Sequence, residues 1–427
     1  MNILVNILLW TTAAISLYFA VFWFLVFVDG GARIEKKKKL GALPGITVTI
    51  PAWNEVRRER TGEVRCVLAE SIDNVMRLQY PKDKVQLIVV NDGSTDGTRE
   101  VILKTIKKYS KRDIIFIDKK KNQGKWAAMN DALQKATGEY FVTLDADSIL
   151  PPKVLKKLLR YFTADDIACV CPNMKVKSPK TFIEKMQWYE YIINMFYKKL
   201  MGRLDCVHVA PGPFSVYRTD IIKKVGGFRK AYQTEDLELT LRLQDNNYRI
   251  LQVLDVTVET KCPPSLKAFY AQRNRWFKGA TLNAIDYKHM IFNPKYGDFG
   301  LMQMPFIIIP AFLALVMIST FAYYTIQPTL SALKTFALVN FDLLPFLRDL
   351  SFNWVLVDFD YFTGLMAIFV LLLSVIIFKK AHTHSREKIL KQGIFPLAVY
   401  FVFYYLLLGV AWAGTIFDIV TKRKMKW

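Results

Sequence analysis

The stretch from Ile3 to Val28 runs for 26 residues without a single charge, and no other feature constrains this chain as strongly. At about 1.5 Å per residue, a helix of that length crosses the roughly 30 Å hydrocarbon core of a bilayer. The run meets Asp29 and then Lys36-Lys-Lys-Lys39. It lacks the leading positive charge, short apolar core and small-residue cleavage site of a secretory leader, so it reads as a retained anchor. Three further uncharged segments lie toward the other end: Met304 to Ile326, Tyr361 to Phe378 and Gly393 to Phe417. Residues 32 to about 296 between them have ordinary globular composition. The expected plan is an anchor at 1–31, a soluble domain at 32–264, amphipathic interface helices at 265–300 and a membrane bundle at 301–427.

Charge asymmetry orients this plan. The lysine run after the anchor assigns the soluble domain to the cytoplasm, with the segment Lys379 to Lys391 on the same side. The acidic loop bearing Asp342, Asp349, Asp358 and Asp360 suits the outside. A fourth full crossing would then carry the basic end, Thr421 to Trp427, outward against the rule. Either that segment does not cross fully or there is a further span. The formal charge of +22 sits largely beside the apolar segments, which favours anionic lipid headgroups over nucleic acid, for which no motif is present. The cysteines Cys66, Cys169, Cys171, Cys206 and Cys262 show no zinc-type spacing and read as reduced thiols.

Within the soluble domain, Ile46 to Ile50, Val85 to Val90 and Ile114 to Ile117 have strand character. They alternate with helical patterns over Glu63 to Leu78 and after Thr98, which predicts a mostly parallel sheet covered on both faces. Such sheets bind ligands beyond the carboxyl ends of their strands, where Asn54, Glu55, Asp92, Asp96, Asp145 and Asp147 fall. The run Phe141-Val-Thr-Leu-Asp-Ala-Asp-Ser148 ends a strand in two carboxylates, which either cap the helix expected after Pro152 or hold a divalent cation. Asp92, followed by Gly93-Ser-Thr-Asp-Gly97, either makes a tight turn or accepts hydrogen bonds from a nucleotide. Lys125 opens a helix after Gly124, where the helix dipole disfavours a cation unless an anion is bound beside it. Asp236 precedes the helical Leu237 to Leu243 and serves either as a cap or as a positioned base. From Ser265 onward an amphipathic helix carries Gln272, Arg275 and Trp276, the last an interfacial anchor or a sugar platform. The aromatic run Thr181 to Arg203 reads as helix packing, and His208, between Val207 and Val209, as a satisfied strand residue.

Together, Pro51-Ala-Trp-Asn-Glu55, Asn91-Asp-Gly-Ser-Thr-Asp96, Asn122-Gln-Gly-Lys125 with Asn130, and Leu144-Asp-Ala-Asp147 resemble the nucleotide-sugar half of inverting family-2 glycosyltransferases with the GT-A fold. Ala210-Pro-Gly-Pro-Phe-Ser-Val-Tyr-Arg218, Thr234-Glu-Asp236 and Gln272-Arg-Asn-Arg-Trp276 follow in the order seen in membrane-embedded members, the poly-N-acetylglucosamine, chitin, hyaluronan and cellulose synthases. The resemblance implies an α/β GT-A domain with a Rossmann-like, mostly parallel sheet plus transmembrane helices. It implies a UDP-sugar donor, with N-acetylglucosamine the expected sugar, and Mg²⁺ or Mn²⁺ on Asp147. Asp145 and Asp92 would serve the nucleotide, Lys125, Gln272 and Arg275 the phosphates, Glu235 and Trp276 the acceptor, and Asp236 would be the base. The product would be a β-linked polysaccharide, possible translocation included. Two other readings stay open at this level: a single transfer to a lipid-linked acceptor, and a catalytically silent carbohydrate-binding subunit. A bundle of about four spans is small for a conduit, which raises a homo-oligomer or an accessory subunit as partners.

Overall fold

The computed structural model describes residues 3–28, 37–58, 64–338 and 361–423. Asp29, Lys36, the acidic connection from Asp342 to Asp360 and the last four residues lie outside the described residues. The first run is one helix, α1 (Ile3–Val28). The chain then enters β1 (Ile46–Ala52), whose first five residues are all buried, as expected of a strand covered on both faces. A small hairpin follows, β2 (Val56–Arg58) and β3 (Val64–Cys66), before α2 (Val67–Met76). The helical pattern read from Glu63 therefore begins four residues late. Val64 to Cys66 pairs with Val56 to Arg58 instead, and the hydrogen bonds of that ribbon outweigh helical spacing over three residues.

Next come β4 (Val85–Asp92), α3 (Thr98–Lys107), β5 (Ile114–Lys119), α4 (Lys125–Lys135), β6 (Tyr140–Thr143), α5 (Val154–Leu158), β7 (Ile167–Val176) and α6 (Phe182–Arg203). The domain finishes with β8 (Ser215–Arg218), α7 (Thr219–Lys224), α8 (Glu235–Asp245) and β9 (Arg249–Thr260). The seven-stranded sheet has the order β5-β4-β1-β6-β8-β7-β9. Its β5, β4, β1 and β6 run parallel, β8 runs antiparallel to both its neighbours, and β9 is parallel to β7. The sheet is mostly parallel, as the alternation of strands and helices implies. Chain order reverses at β1, which lies between β4 and β6, and that opens a crevice beyond its carboxyl end.

Two apolar layers cover the sheet. One holds Val48, Ile50, Leu68, Ile72, Val142 and Leu155. The other holds Ile88, Val90, Ala128, Phe141, Ile222 and Leu239. A third apolar cluster joins the domain to the long helices. α6 starts with a capping box, Thr181 accepting from the Glu184 N–H and Glu184 accepting in return, and buries Trp188, Tyr189, Tyr191 and Phe196, so its aromatics pack. The same cluster takes in residues of α9 (Leu266–Asp286), α10 (Met304–Phe321), α12 (Tyr361–Ser385) and α13 (Ile394–Val420), with α11 (Gln327–Leu338) continuing α10 through a π turn.

Among the described residues, four helical segments are long and apolar enough to cross a membrane: Trp10–Val28, Phe299–Leu338, Ile368–Ser385 and Ile394–Val420. The second runs past the expected Met304 to Ile326 at both ends, the third is shifted toward the C-terminus from the expected Tyr361 to Phe378, the fourth runs past Phe417 to Val420, and the first starts later than Ile3. α13 buries one stripe along its length, Pro396, Tyr400, Tyr404, Ala411 and Thr415, and exposes Val402, Tyr405, Val410 and Phe417. The chain just before and just after it is tied to α6 and α9. The Tyr189 hydroxyl donates to the Ile389 carbonyl at 3.0 Å, and Lys278 Nζ donates to the Arg423 carbonyl at 2.5 Å.

Candidate active site

The site starts at the end of β4. Asp92 is buried, and its carboxylate accepts from the backbone N–H groups of Gln123 at 3.1 Å and Gly124 at 2.8 Å while Lys119 Nζ lies 3.0 Å away. Gly93, at φ +71°, lets the backbone of residues 121–122 come so close that a Cβ would sit 2.5 Å from the Asn122 nitrogen. Asp92 thus clasps the loop that launches α4 and sets the position of Lys125. The close approach that Gly93 permits is to the chain itself. Asp96 is used within the fold, accepting from the N–H groups of Val56 and Thr98 and from the Thr98 hydroxyl. Asn130 is also structural: its amide bonds the carbonyl and the N–H of Phe228, both at 2.8 Å.

Lys125 reaches from the first turn of α4 to Asp145, Nζ to Oδ1 at 2.5 Å. Burial alone would lower its pKa, but the carboxylates of Asp145, Glu235 and Asp236 outweigh burial and raise it. Asp147, two residues along, is held above the usual carboxylate range by burial and then by Asp145, with Lys261 and Lys125 opposing. Glu235 is raised by burial, and the cations Lys125 and Arg275 oppose the rise. Four carboxylates and the cations Lys125, Arg275 and Lys261 therefore share one electrostatic neighbourhood at the sheet edge. Among the described residues no three His, Cys, Asp or Glu side chains form a metal cage. A paired Asp145 and Asp147 still fits a hard cation such as Mg²⁺, which takes one or two carboxylates and completes its shell with substrate phosphates and water. A desolvated Asp147 raised by its acidic neighbour is the electrostatic mismatch that such a cation would remove.

The third element is the turn before α8. Tyr232 and Gln233 both have positive φ, 49° and 59°, a strained pair of non-glycine residues leading into Thr234. Asp236 sits in the first turn of α8, its Oδ1 accepting from the Leu237 N–H at 2.9 Å. α9 packs across this turn through Gly279, which has no Cβ to clash with Thr234, and through Asn283, whose amide donates to the Thr234 hydroxyl at 2.9 Å. Gln272, Trp276, Gly279 and Asn283 are spaced i, i+4, i+7 and i+11, so they share one face of α9. The stripe that grips the Thr234 turn thus also presents Gln272 and Trp276. The Gln272 Oε1 is buried without a hydrogen-bond partner.

Lys125, Asp145, Asp147, Glu235, Asp236 and Arg275 share this charged neighbourhood, Gln272 and Trp276 lie on the α9 face beside the Thr234 turn, and Asp92 is set behind the Lys125 loop. One reading needs correcting. His208 is not in a strand but in the irregular segment between α6 and β8, and its Nδ1 is buried with no partner. Two hydrogen-bonded neighbours explain why no strand forms there: the Ala210 N–H donates to the Thr240 hydroxyl at 3.1 Å, and the Gln244 amide donates to the Asp205 carbonyl at 3.0 Å, which lays the segment along α8. Burial and the nearby Lys198 push the His208 pKa down to about 4. Sequence reasoning gave no role to Gly212, although a Cβ there would lie 3.0 Å from both Asp145 Oδ2 and Lys125 Nζ. The Pro211-Gly-Pro213 signal was visible. It also missed Asn283, which falls on the stripe begun by Gln272.

A crossover sheet with carboxylates at the β4 and β6 ends, and an acidic turn clamped by a long helix, defines a GT-A nucleotide-sugar transferase domain. The sequence profile of Glycosyl transferase family 2 matches residues 47–226, and that of Glycosyl transferase family group 2 matches residues 140–416. The chain belongs to this family of glycosyltransferases. It is 27% identical over 281 residues to poly-beta-1,6-N-acetyl-D-glucosamine synthase of Staphylococcus aureus, an alignment that takes in 64% of this chain and 65% of that enzyme. It is 24% identical over 266 residues to the beta-monoglucosyldiacylglycerol synthase of a Nostoc species, covering 62% of this chain and 55% of the relative. Among solved structures, a mannosyltransferase from Pyrobaculum calidifontis in complex with GDP-Man and Mn²⁺ superposes with a TM-score of 0.53 at 19% identity, over 87% of this chain and 96% of that one. That likeness bears out the fold.

Proposed function

We propose that the protein is a membrane-bound inverting glycosyltransferase that takes a sugar, N-acetylglucosamine, from its UDP donor and adds it to a growing β-linked polysaccharide. The observation that carries this reading is the convergence of Lys125, Asp145, Asp147, Glu235 and Asp236 in one charged neighbourhood beyond the sheet edge. The similarity to a polysaccharide synthase supports the product class. Asp145 faces the nucleotide, with Asp92 behind it holding the Lys125 loop, and Lys125 and Arg275 face the diphosphate with the Gln272 amide N–H as a further donor. Asp147, with Asp145, would hold Mg²⁺ or Mn²⁺, and the cation supplies neutralisation of the leaving diphosphate. Asp236, fixed by the Leu237 N–H, accepts the proton from the attacking hydroxyl. Glu235 and Trp276 flank the acceptor, with the Trp276 ring as an apolar platform. The apolar helices lie in the cell membrane, the catalytic domain is cytoplasmic, and the C-terminus lies on the same side, a placement supported by the bond from Lys278 on the motif helix to the Arg423 carbonyl just past α13.

A second reading, transfer of one sugar to a lipid acceptor, is favoured by the similarity to a diacylglycerol glucosyltransferase. Product size separates the two. Purified full-length protein in lipid nanodiscs, given radiolabelled UDP-N-acetylglucosamine with Mg²⁺ or Mn²⁺, is expected to release UDP and form high-mass, glycosidase-sensitive polymer. Product confined to a lipid-extractable monoglycoside would overturn the polymer reading.

A further inference from the structure

The motif helix α9 has two working faces, and one side chain bridges them. Gln272, Trp276, Gly279 and Asn283 face the catalytic turn, whereas Phe269 and Phe277 pack on α13. Phe277 stacks on Trp412 with ring centroids 4.2 Å apart, and Phe269 packs at Tyr404. Arg273 belongs to the second face. It is 3% exposed, and its NH2 donates to Glu190 Oε2 on α6 at 2.5 Å. The same oxygen accepts from the hydroxyl of fully buried Tyr404 at 2.7 Å. The guanidinium then lies over the Trp276 ring, 4.5 Å from its centroid.

We infer that Glu190 and Tyr404 are positioning residues for Trp276, acting through Arg273, so that the last apolar helix sets the orientation of the ring on the acceptor side. The physical reason lies in the geometry of guanidinium, a planar fork. Holding it on a carboxylate fixes the plane that presses on the indole. Stability does not require this arrangement. α9 and α13 already meet through stacked aromatics, and a buried ion pair brings a desolvation cost that apolar residues of similar volume avoid. What the charges add is direction. Glu190 also fixes Arg273 from a helix outside the Gln272–Trp276 motif, so three elements converge on one ring. The functional half of this inference rests on the proposed acceptor role of Trp276, while the geometric half does not.

The experiment treats the two halves separately. Full-length protein carrying fluorotryptophan is placed in lipid nanodiscs, and the Trp276 fluorine resonance is assigned by its loss in Trp276→Phe among the nine tryptophans. Three variants are compared: Tyr404→Phe, Glu190→Gln and the paired Glu190→Leu/Arg273→Met, which removes both charges together and keeps the fold. The Trp276 resonance is expected to shift and broaden in all three. If it holds its wild-type position in the paired variant, the positioning role is overturned, whatever the kinetics. Alongside it, KM is measured for UDP-N-acetylglucosamine and for a short β-linked N-acetylglucosamine oligomer as acceptor. The acceptor KM is expected to rise about fivefold, on the scale of one lost ring contact, with donor KM unchanged and the paired variant no better than Glu190→Gln. A moved resonance with wild-type acceptor KM in every variant, Trp276→Ala included, refutes the acceptor reading of Trp276 and leaves the geometric lock standing. Restored acceptor KM in the paired variant reduces the charges to fold stability.

Discussion

Gly212 offers the sharpest test of the site, because the structure supplies the geometry of its perturbation. In Gly212→Ala the new methyl would lie 3.0 Å from Asp145 Oδ2 and from Lys125 Nζ, and 3.3 Å from Asp145 Oδ1. Non-bonded carbon prefers about 3.5 Å or more, so the pair must retreat by a few tenths of an ångström. Lys125 ends a flexible chain, and its side chain and that of Asp145 are each 30% exposed, so the retreat is possible without unfolding. Gly212 is not among the glycines with positive φ, so alanine adds no backbone strain. The cost therefore falls on function. A misplacement of 1 Å is associated with about a hundredfold loss of rate, so a few tenths scale to roughly three- to tenfold, or about 0.7–1.4 kcal/mol. The assay is release of UDP against donor concentration, with thermal unfolding alongside. The expected result is a three- to tenfold fall in kcat/KM for the donor with little change in Tm. In a Lys125→Met background the added methyl should cost less, because the pair it disturbs is already broken. Unchanged donor kinetics in Gly212→Ala, or full additivity with Lys125→Met, would refute the placement of the donor phosphates over this pair.

Three further outcomes follow from the same neighbourhood. Asp147→Asn should raise the metal concentration needed for half-maximal activity by at least about tenfold while raising the Tm of ligand-free protein at neutral pH. The sign is set by linkage. A carboxylate whose folded pKa is raised binds its proton more tightly in the folded state, so its contribution to stability is present below the unfolded pKa and is lost as pH rises through the folded one. The same shift predicts that metal affinity weakens as pH falls into the range of Asp147, and a flat titration of metal affinity would contradict it. Asp236→Asn should cut transfer by about 10²- to 10⁴-fold with donor binding intact by calorimetry, and retained transfer would remove Asp236 from the chemistry. A cysteine at Lys422 should be labelled by an impermeant maleimide only in inside-out vesicles. Labelling in right-side-out vesicles would mean that α13 crosses to the opposite face.

Much of this site could be read from sequence for a reason specific to its architecture. In a crossover sheet the ligand lies where strands end, and strand ends are written locally as an apolar run that stops at Asp92 or Asp145. What such reading misses is how a residue is used once the chain folds back on it. Asp96 and Asp92 look alike beside their glycines, yet one ties the start of α3 to the Val56 N–H from 40 residues away and the other clasps the loop of Lys125 from 31 residues away. Gly212 and Asn283 act through neighbours brought from other elements, so the flanking prolines and the helical stripe mark their positions but not their partners. His208 is the converse case: two flanking valines spell a strand, but bonds from Ala210 and Gln244 to distant partners tie the segment to α8. The Glu190–Arg273–Tyr404 group shows the limit most plainly, with members 83 and 131 residues apart in three helices that read from sequence as a packing helix, the motif helix and a membrane segment. Periodicity assigns Phe269, Arg273 and Phe277 to one face, which makes the arginine look like a mistake in an apolar stripe. The acid that corrects it sits on a helix whose aromatic content points only to packing. Long-range charge pairing of this kind leaves no periodic trace, which is why the site's chemistry was legible in the chain and the means of orienting it was not.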